Sequence, residues 1–290
     1  MTCRSLPRPD HELPPLVAAF AARGIEASIE CWDDDGVDWN RFDAAILRST
    51  WNYVQSFERF VPWLDRIAGA CRLVNDHATV RWNLHKGYLL ELARRGAAIV
   101  PTEVLPAGAA ADWPALFARW GDLVVKPAVS AGSFQTLRVP AGDVAAATSH
   151  RHANLGRDML IQPLLASVVE CGERNLVYFD GRFSHAVHKA ARWKGDPEAS
   201  GGTILPDADE SRLAERVLDI VGEIGVPAPA YARVDVARGR DGAAVLMELE
   251  LIEPSLFIER VPEAPDRLVQ AVLASVARPR QAAGTKPSRS

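Results

Sequence analysis

The sequence predicts a small open α/β domain with a parallel sheet, followed by two α+β regions. Three observations carry this prediction. Short apolar runs that end in polar residues alternate with helical segments up to about residue 75, the pattern of buried parallel strands joined by crossover helices. Further along, alternating strands are joined by the dipeptides Asp180-Gly181 and Asp241-Gly242, which favour tight hairpin turns. Between them, SRLAERVLDIVGEIG sets Leu213, Val217, Ile220, Val221 and Ile224 on one helical face, the stripe of a helix packed on a core.

Taken in order, residues 12–23 (ELPPLVAAFAAR) predict a helix stopped at Gly24, and IEASIECW alternates as a strand does. FDAAILRS (42–49) reads as a buried strand, FERFVPWLDRIAG as a helix and RLVN (72–75) as a further strand. A domain of this kind usually opens with a strand, yet only Met1–Cys3 precede the first loop. The chain is therefore expected either to begin late in that strand or to have its true start upstream. From Asp76, NLHKGYLLELARRG predicts a helix ended by Gly96, while AIVPTEVL and DLVVKPA predict strands. MLIQPLL leads into the third region, where RNLVYFDGRFSHAVHKAA predicts a hairpin and YARVDVA and AAVLMELEL two more strands. The polar tail after Pro279 is expected to be disordered. The expected divisions are 1–75, 76–161, 162–278 and a tail at 279–290.

The 290 residues suffice for one large domain or a few small ones. A formal net charge of −4 points away from nucleic acid as a partner. Cys3, Cys31, Cys71 and Cys171 are far apart and form no C-x-x-C pair. They suit reduced thiols in the cytoplasm better than a disulfide frame or a zinc site. No apolar run approaches the ~20 residues of a membrane span, and MTCRSLPRPDHELPPL lacks the apolar segment of a signal peptide. The expectation is a cytoplasmic protein with no membrane contact.

The chemistry concentrates in LMELELIE (246–253). A strand puts residues i and i+2 on one face, so Glu248 and Glu250 point together, while Met247, Leu249 and Leu251 point away. Like charges repel, and burying them is costly, which calls for a cation between them. The preceding strand carries Arg233 and Asp235, again two apart. Antiparallel pairing would bring all four to one face, although the register stays open. Asp235, Glu248 and Glu250 would suit a hard cation whose ligands are completed by phosphate oxygens. The competing reading is a solvated strand face.

In LVVKPAVSAGSFQT (123–136), Lys126 follows an apolar strand and precedes a run of small residues, including Ser130, Ala131, Gly132 and Ser133. Small residues let backbone N–H groups approach a phosphate. This is not a P-loop, because the lysine precedes the loop, and an ordinary turn competes. Lys86 taken alone reads as a solvated helix residue. Lys189 shares strand parity with His185, and His185 and His188 lie on opposite faces, as structural histidines do. Arg192 and Lys194 precede SGGT (200–203), a candidate loop that could close on an anionic ligand. Gln162 and Pro163 sit at an apolar strand end where backbone could meet a flat base, and Glu173 could accept from a ribose hydroxyl. A plain connector is the alternative. LRSTWNY (47–53) ends a parallel strand, and ligands of open α/β sheets bind beyond such ends. Arg48, Ser49, Thr50 and Trp51 are thus candidate contacts for a second substrate, with a helix N-cap at Ser49 or Thr50 as an equal alternative.

Together and in this order, these positions resemble the ATP-grasp superfamily, and within it the glutathione synthetase-like branch, from about residue 12 to residue 278. The resemblance implies an ATP-grasp fold, in which a small α/β preceding domain is followed by two α+β lobes that clamp ATP. It implies Lys86 and Lys126 at the α/β-phosphates, with Gln162, Pro163, Leu164 and Leu165 as the adenine hinge and Glu173 at the ribose. Lys189 fills the place of the basic residue, and Asp235, Glu248 and Glu250 fill those of the Mg²⁺ ligands. Glu250 stands where the family usually has asparagine. Arg233 lies where the family has an arginine near an acyl phosphate. The implied reaction is ATP-dependent ligation: a carboxylate attacks the γ-phosphate, and a nitrogen nucleophile then displaces phosphate from the acyl phosphate. RSTWNY, VRWNLHK, VVKPAVSAGS, FSHAVHK and ELELIEPSLF are similar to stretches of the O-ureido-D-serine cyclo-ligases, and also to relatives with no established substrate. A carboxylate kinase and a non-catalytic nucleotide-binding module are the rival readings. The implied partner is an amino-acid-like small molecule, with a homodimer as one option for the assembly.

Overall fold

The computed structural model describes residues 1–190 and 200–279. In chain order its elements are α1 (Leu13–Ala21), β1 (Ala44–Ile46), α2 (Phe57–Ala70), β2 (Arg72–Val74), α3 (His77–Asn83), α4 (Tyr88–Arg94) and β3 (Glu103–Leu105). There follow α5 (Trp113–Trp120), β4 (Leu123–Pro127), β5 (Leu137–Val139), α6 (Val144–Ala153), β6 (Met159–Pro163) and α7 (Ala166–Cys171). The last group is β7 (Glu173–Phe179), β8 (Arg182–Lys189), β9 (Ser200–Ile204), α8 (Ala208–Glu223), β10 (Tyr231–Arg238), β11 (Ala244–Glu250) and α9 (Ala264–Ala277).

β1 and β2 pair in parallel, as the apolar runs predict. α2 covers one side of them, packing Phe60, Trp63, Leu64 and Ile67 around Trp32, Leu47 and Leu73. Leu16 and Phe20 of α1 join Leu268, Val269 and Val272 of α9 in a second core. IEASIECW, expected as a strand, forms no ladder. Its one bridge is from Cys31 to Thr2, which also bridges Ser49 in parallel. A strand needs a hydrogen-bonding neighbour along its length, and only Met1–Cys3 comes alongside.

Two antiparallel sheets make up the rest. One has the order β3-β6-β4-β5, the other β11-β10-β7-β8-β9. They meet where Leu246 exchanges backbone hydrogen bonds with Ala98 and Val100, at 2.9 and 3.0 Å. The Asp180-Gly181 hairpin turn forms as predicted, with positive φ at both residues (50° and 73°). α8 buries its apolar stripe against Val234, Val236, Leu246 and Leu249. That commits the opposite face of β10 and β11, carrying Arg233, Asp235, Glu248 and Glu250, to a different environment.

Two further expectations need correction. NLHKGYLLELARRG is not one helix. α3 ends at Asn83 and α4 begins at Tyr88, leaving Lys86 in the turn between them. The backbone N–H of Lys86 is drawn off to Ala128 O (2.8 Å) instead of continuing a helical ladder. SGGT is not a free loop either, because Ser200–Ile204 is strand β9, paired to β8. The expected lid residues Arg192 and Lys194, and the tail from residue 280, lie outside the described residues. No helix among the described residues is long and apolar enough to cross a membrane.

Candidate active site

A cleft opens between the two antiparallel sheets. The four-stranded sheet contributes Lys126, the Ser130–Ala131–Gly132–Ser133 loop, Gln162, Pro163, Leu164 and Leu165. The five-stranded sheet contributes Glu173, Lys189, Asp235, Glu248 and Glu250. Residues far apart in sequence, each weak alone, thus share one space. Val100, Val168 and Met247 line it as well, so an apolar part adjoins a charged one. Met247, expected to point away from Glu248, reaches this side because the register shifts between Asp235 and Val236 and leaves it without a partner on β10.

The acidic strand is held from behind. Asn83 at the end of α3 bonds one backbone group each of Leu249 and Leu251: its Nδ2 donates to Leu249 O and its Oδ1 accepts from Leu251 N, each at 2.9 Å. The Tyr88 hydroxyl at the start of α4 donates to Leu249 O (2.9 Å) and accepts from Leu249 N (3.0 Å). Leu249 separates the two glutamates, so these four bonds fix where both carboxylates emerge. Sequence reasoning missed both residues, although Asn83 stands within the quoted stretch VRWNLHK.

Across β10 and β11 the register pairs Asp235 with Glu248 and Arg233 with Glu250. Arg233 is 3% exposed. Its Nε and Nη2 donate to the two oxygens of Asp235 at 2.7 and 2.8 Å, and Nη2 also donates to Glu250 Oε1 at 2.6 Å. Nη1 reaches Ser255 O at 3.1 Å. Glu248 turns the other way, with Lys86 Nζ 3.0 Å and Lys126 Nζ 3.9 Å from its oxygens. Lys86 Nζ also donates to Ser130 O, tying the small-residue loop to the acidic strand.

The electrostatics separate the two glutamates. Burial pushes the Glu248 carboxyl up, but Lys86 and Lys126 together outweigh burial and bring it down to about 2. Burial also dominates at Glu250. There Arg233 opposes it only in part while Glu248 and Asp235 add repulsion, and the carboxyl rises to about 7. Burial raises Asp235 too, against the pull of Arg233. Burial lowers Lys126, with Glu248 opposing.

Among the described residues no three His, Cys, Asp or Glu side chains are gathered closely enough to hold a metal ion. Asp235 and Glu250 turn to Arg233, and Glu248 to the lysines. The donor chemistry nonetheless fits a hard cation: three carboxylates from one sheet face line one cleft.

Glu173 and Lys189 face each other across β7 and β8, with Lys189 Nζ 2.7 Å from Glu173 Oε1. Burial raises the Glu173 carboxyl, and Lys189 more than reverses this. The pair depends on Gly172, whose φ is +71° and whose missing side chain would collide with the backbone carbonyl of Lys189. Gly172→Ala is expected to part β7 from β8 here and weaken ATP binding by about tenfold, ~1.4 kcal/mol. Gly242→Ala, at φ +80° but with open space around it, is the control for backbone strain alone. Titration calorimetry checks both, and equal ATP affinities in the two variants would dissociate the pair from nucleotide binding.

The Arg48–Trp51 segment lies elsewhere. Arg48 is 2% exposed and Ser49 and Thr50 are fully buried. Arg48 Nη2 donates to Glu12 Oε2 and to Pro254 O, both at 2.8 Å. Glu12 in turn accepts from the backbone N–H groups of Leu256 and Phe257 at 2.8 and 3.1 Å. Ser49 Oγ donates to Thr2 Oγ1 (3.0 Å) instead of capping a helix. Trp51 is half-buried, with Nε1 donating to Glu253 O at 3.2 Å and the Arg8 guanidinium 4.1 Å over its ring. Of these four, Trp51 alone keeps an accessible side chain, at the seam between residues 48–52 and 252–256. Arg192 lies outside the described residues. Glu253 and Asn175, both buried, were not singled out as site residues. For Asn175 the signal was a polar residue at a strand position that parity sets on the side of Glu173; Glu253 lies beyond the end of β11, where strand parity gives no signal.

Residues 1–75 match the family described as D-cycloserine synthetase DcsG, N-terminal domain. The chain is 34% identical over 278 residues to the cycloserine biosynthesis protein DcsG of Streptomyces lavendulae, covering 91% of this chain and 93% of that protein. It superposes on the crystal structure of D-cycloserine synthetase DcsG with a TM-score of 0.87 at 32% identity, covering 95% and 98% of the two chains. The ATP-grasp ligase PsnB, complexed with minimal precursor, Mg and ADP, shares the fold with a TM-score of 0.61 at 18% identity, covering 96% and 97%. The ATP-grasp architecture expected from the ordered motifs is therefore the observed one, and the chain belongs to the D-cycloserine synthetase DcsG family of ATP-grasp ligases.

Proposed function

We propose that this chain is an ATP- and Mg²⁺-dependent cyclo-ligase that activates a carboxylate as an acyl phosphate and closes it onto a nitrogen of the same amino-acid-like molecule, such as O-ureido-D-serine. The observation that carries the reading is the balanced charge set of the cleft: Arg233 between Asp235 and Glu250, and Glu248 between Lys86 and Lys126. A site that keeps its cations and carboxylates paired in this way is ready to exchange partners when an anion arrives. The likeness to DcsG over nine-tenths of the chain supports the ring-closing form of the reaction.

In this reading residues 76–161 and 162–278 act as two jaws. The apolar part of the cleft near Val168 and Met247 receives the base, with the backbone of Gln162, Pro163, Leu164 and Leu165 beside it and Glu173 at the ribose. The side chain of Gln162 is held by its own bond from Nε2 to Thr102 Oγ1 at 2.9 Å, which fixes this part of the cleft lining. Lys86 and Lys126 turn from Glu248 to the α/β-phosphates, while Lys189 adds positive charge. Asp235, Glu248 and Glu250 would hold Mg²⁺, which supplies neutralisation of the phosphate charge. Arg233, released from its two carboxylates, is placed to stabilise charge on the acyl oxygens. The Ser130–Ser133 loop, with positive φ at Gly132 and Ser133 (57° and 61°), is built to lie close over phosphates and exclude water that would destroy an acyl phosphate. Because carboxylate and nitrogen belong to one molecule, ring closure has the high effective molarity of an intramolecular step. The free thiols of Cys3, Cys31, Cys71 and Cys171 support a cytoplasmic location.

The test is release of ADP and phosphate from Mg-ATP over a panel of amino acids and carboxylate–amine pairs that includes O-ureido-D-serine. Release with O-ureido-D-serine alone, with a cyclised product identified by mass, is the expected result. Release only with a carboxylate–amine pair would replace ring closure with intermolecular ligation. A stable phosphorylated product would make the chain a carboxylate kinase.

A further inference from the structure

Asn175 lies on β7, fully buried, with neither Nδ2 nor Oδ1 hydrogen-bonded. Register places it opposite Asp235 on β10 and opposite Val187 on β8, two residues inward from the Glu173–Lys189 pair. Strand alternation sets Asn175 on the side of Glu173 and Asp235, while Leu176 and Tyr178 point into the core beneath α8. A side-chain amide carries two N–H donors and two acceptor lone pairs. Leaving them buried and unmade lowers stability, in a strand setting that already disfavours asparagine. An apolar residue of equal size would be the more stable choice, so the amide calls for a partner that the protein itself does not provide.

The neighbours say what kind of partner. Glu173 and Asp235 each hold a cation, Lys189 and Arg233, at 2.7 Å. A further lysine or arginine at position 175 would be captured by the same carboxylates. A neutral amide escapes that capture and keeps its N–H groups for an arriving anion. We propose that Asn175 is a phosphoryl-contacting residue, its Nδ2–H donating to an oxygen of the γ-phosphoryl group as that group passes from ATP to the substrate carboxylate. The β–γ bridging oxygen–phosphorus bond breaks with its electron pair leaving on ADP, and a carboxylate oxygen–phosphorus bond forms. Asn175 moves no proton. This rests on the ATP-grasp ligase reading of the cleft and adds a residue to it.

Asn175→Leu keeps the size and removes the donor. Three quantities are compared with wild type: the melting temperature, the Kd of Mg-ADP, and the Kd of the magnesium complex of the β,γ-imido analogue of ATP. The variant is expected to melt higher, to bind ADP within twofold of wild type, and to lose about tenfold of the preference for the triphosphate analogue over ADP. Turnover should fall by about a hundredfold. An unchanged triphosphate preference overturns the proposal, and so does an equal loss of affinity for both nucleotides, which would make Asn175 a structural residue. Should the leucine variant not fold, Asn175→Ala gives the same comparison. If wild type binds neither nucleotide, the ligase reading falls and this inference with it, an outcome distinct from a wild type that discriminates and a variant that discriminates equally well.

Discussion

Glu248→Gln is expected to lower turnover by roughly 10³-fold while the chain stays folded and binds ATP. Glu248 is the carboxylate that the buried Lys86 and the half-buried Lys126 share, at 3.0 and 3.9 Å, and those lysines hold it down at about 2 despite desolvation. Glutamine keeps the shape and the oxygen but removes the charge. Without nucleotide, the two ammonium groups then lack their common counter-charge, so the variant should melt a few degrees lower, as buried charges lose their pairing. Phosphates restore that counter-charge, so ATP affinity should hold or improve. On the proposed assignment the chemical step does not recover, because one of three charged oxygen donors for the cation is gone. Turnover is read from ADP release and affinity from titration calorimetry. A variant that works at the wild-type rate would remove Glu248 from the metal site, and one that no longer binds ATP would show that Glu248 positions the lysines rather than serving the reaction.

What could be read from the sequence follows from how local each signal is. That Glu248 and Glu250 share a face with each other, and Arg233 with Asp235, depends only on the two-residue repeat of a strand, and the structure repeats it. The register that sets Arg233 opposite Glu250 comes from pairing two strands and leaves no mark in either. Lys86 was legible through the order of motifs but misplaced on a helix, since apolar periodicity runs on through the turn at Leu84–Gly87. The strand-end rule for open sheets marked Arg48 to Trp51 as ligand contacts. Arg48 Nη2 is bonded to Glu12, which also holds Leu256 and Phe257 more than two hundred residues away, while the buried Nε and Nη1 of Arg48 have no hydrogen-bond partner among the described residues. Such a link is tertiary, and residue types alone do not report it. The one departure from the family pattern, Glu250 for asparagine, also has a structural consequence. It gives Arg233 a second carboxylate, an ionisable group that asparagine would not bring, which burial pushes up to about 7 against the pull of that arginine.

That balance makes Arg233→Met a stability experiment as much as a kinetic one. Methionine fills much of the same volume with no charge, leaving Asp235, 2% exposed, and the half-buried Glu250 without their shared cation. Removing one partner of a buried ion pair typically costs about 3–5 kcal/mol, which for a chain of this size lowers the melting temperature by roughly 10 °C. A divalent cation can take the place of the guanidinium. Mg²⁺ at about a hundred times its Kd would return ~2.7 kcal/mol, so the variant should be stabilised by Mg²⁺ far more than wild type, where Arg233 competes with the ion for the same oxygens. Turnover should stay at least ~10²-fold down even when Mg²⁺ has restored the fold, because the charge on the acyl oxygens still lacks its donor. Thermal melts with and without Mg²⁺, set beside ADP release, separate these effects. Recovery of melting without recovery of rate assigns the carboxylates to the cation and the arginine to the chemistry. A melting temperature indifferent to Mg²⁺ would mean that Asp235 and Glu250 serve only to hold Arg233, and the cation would have to be sought elsewhere in the cleft.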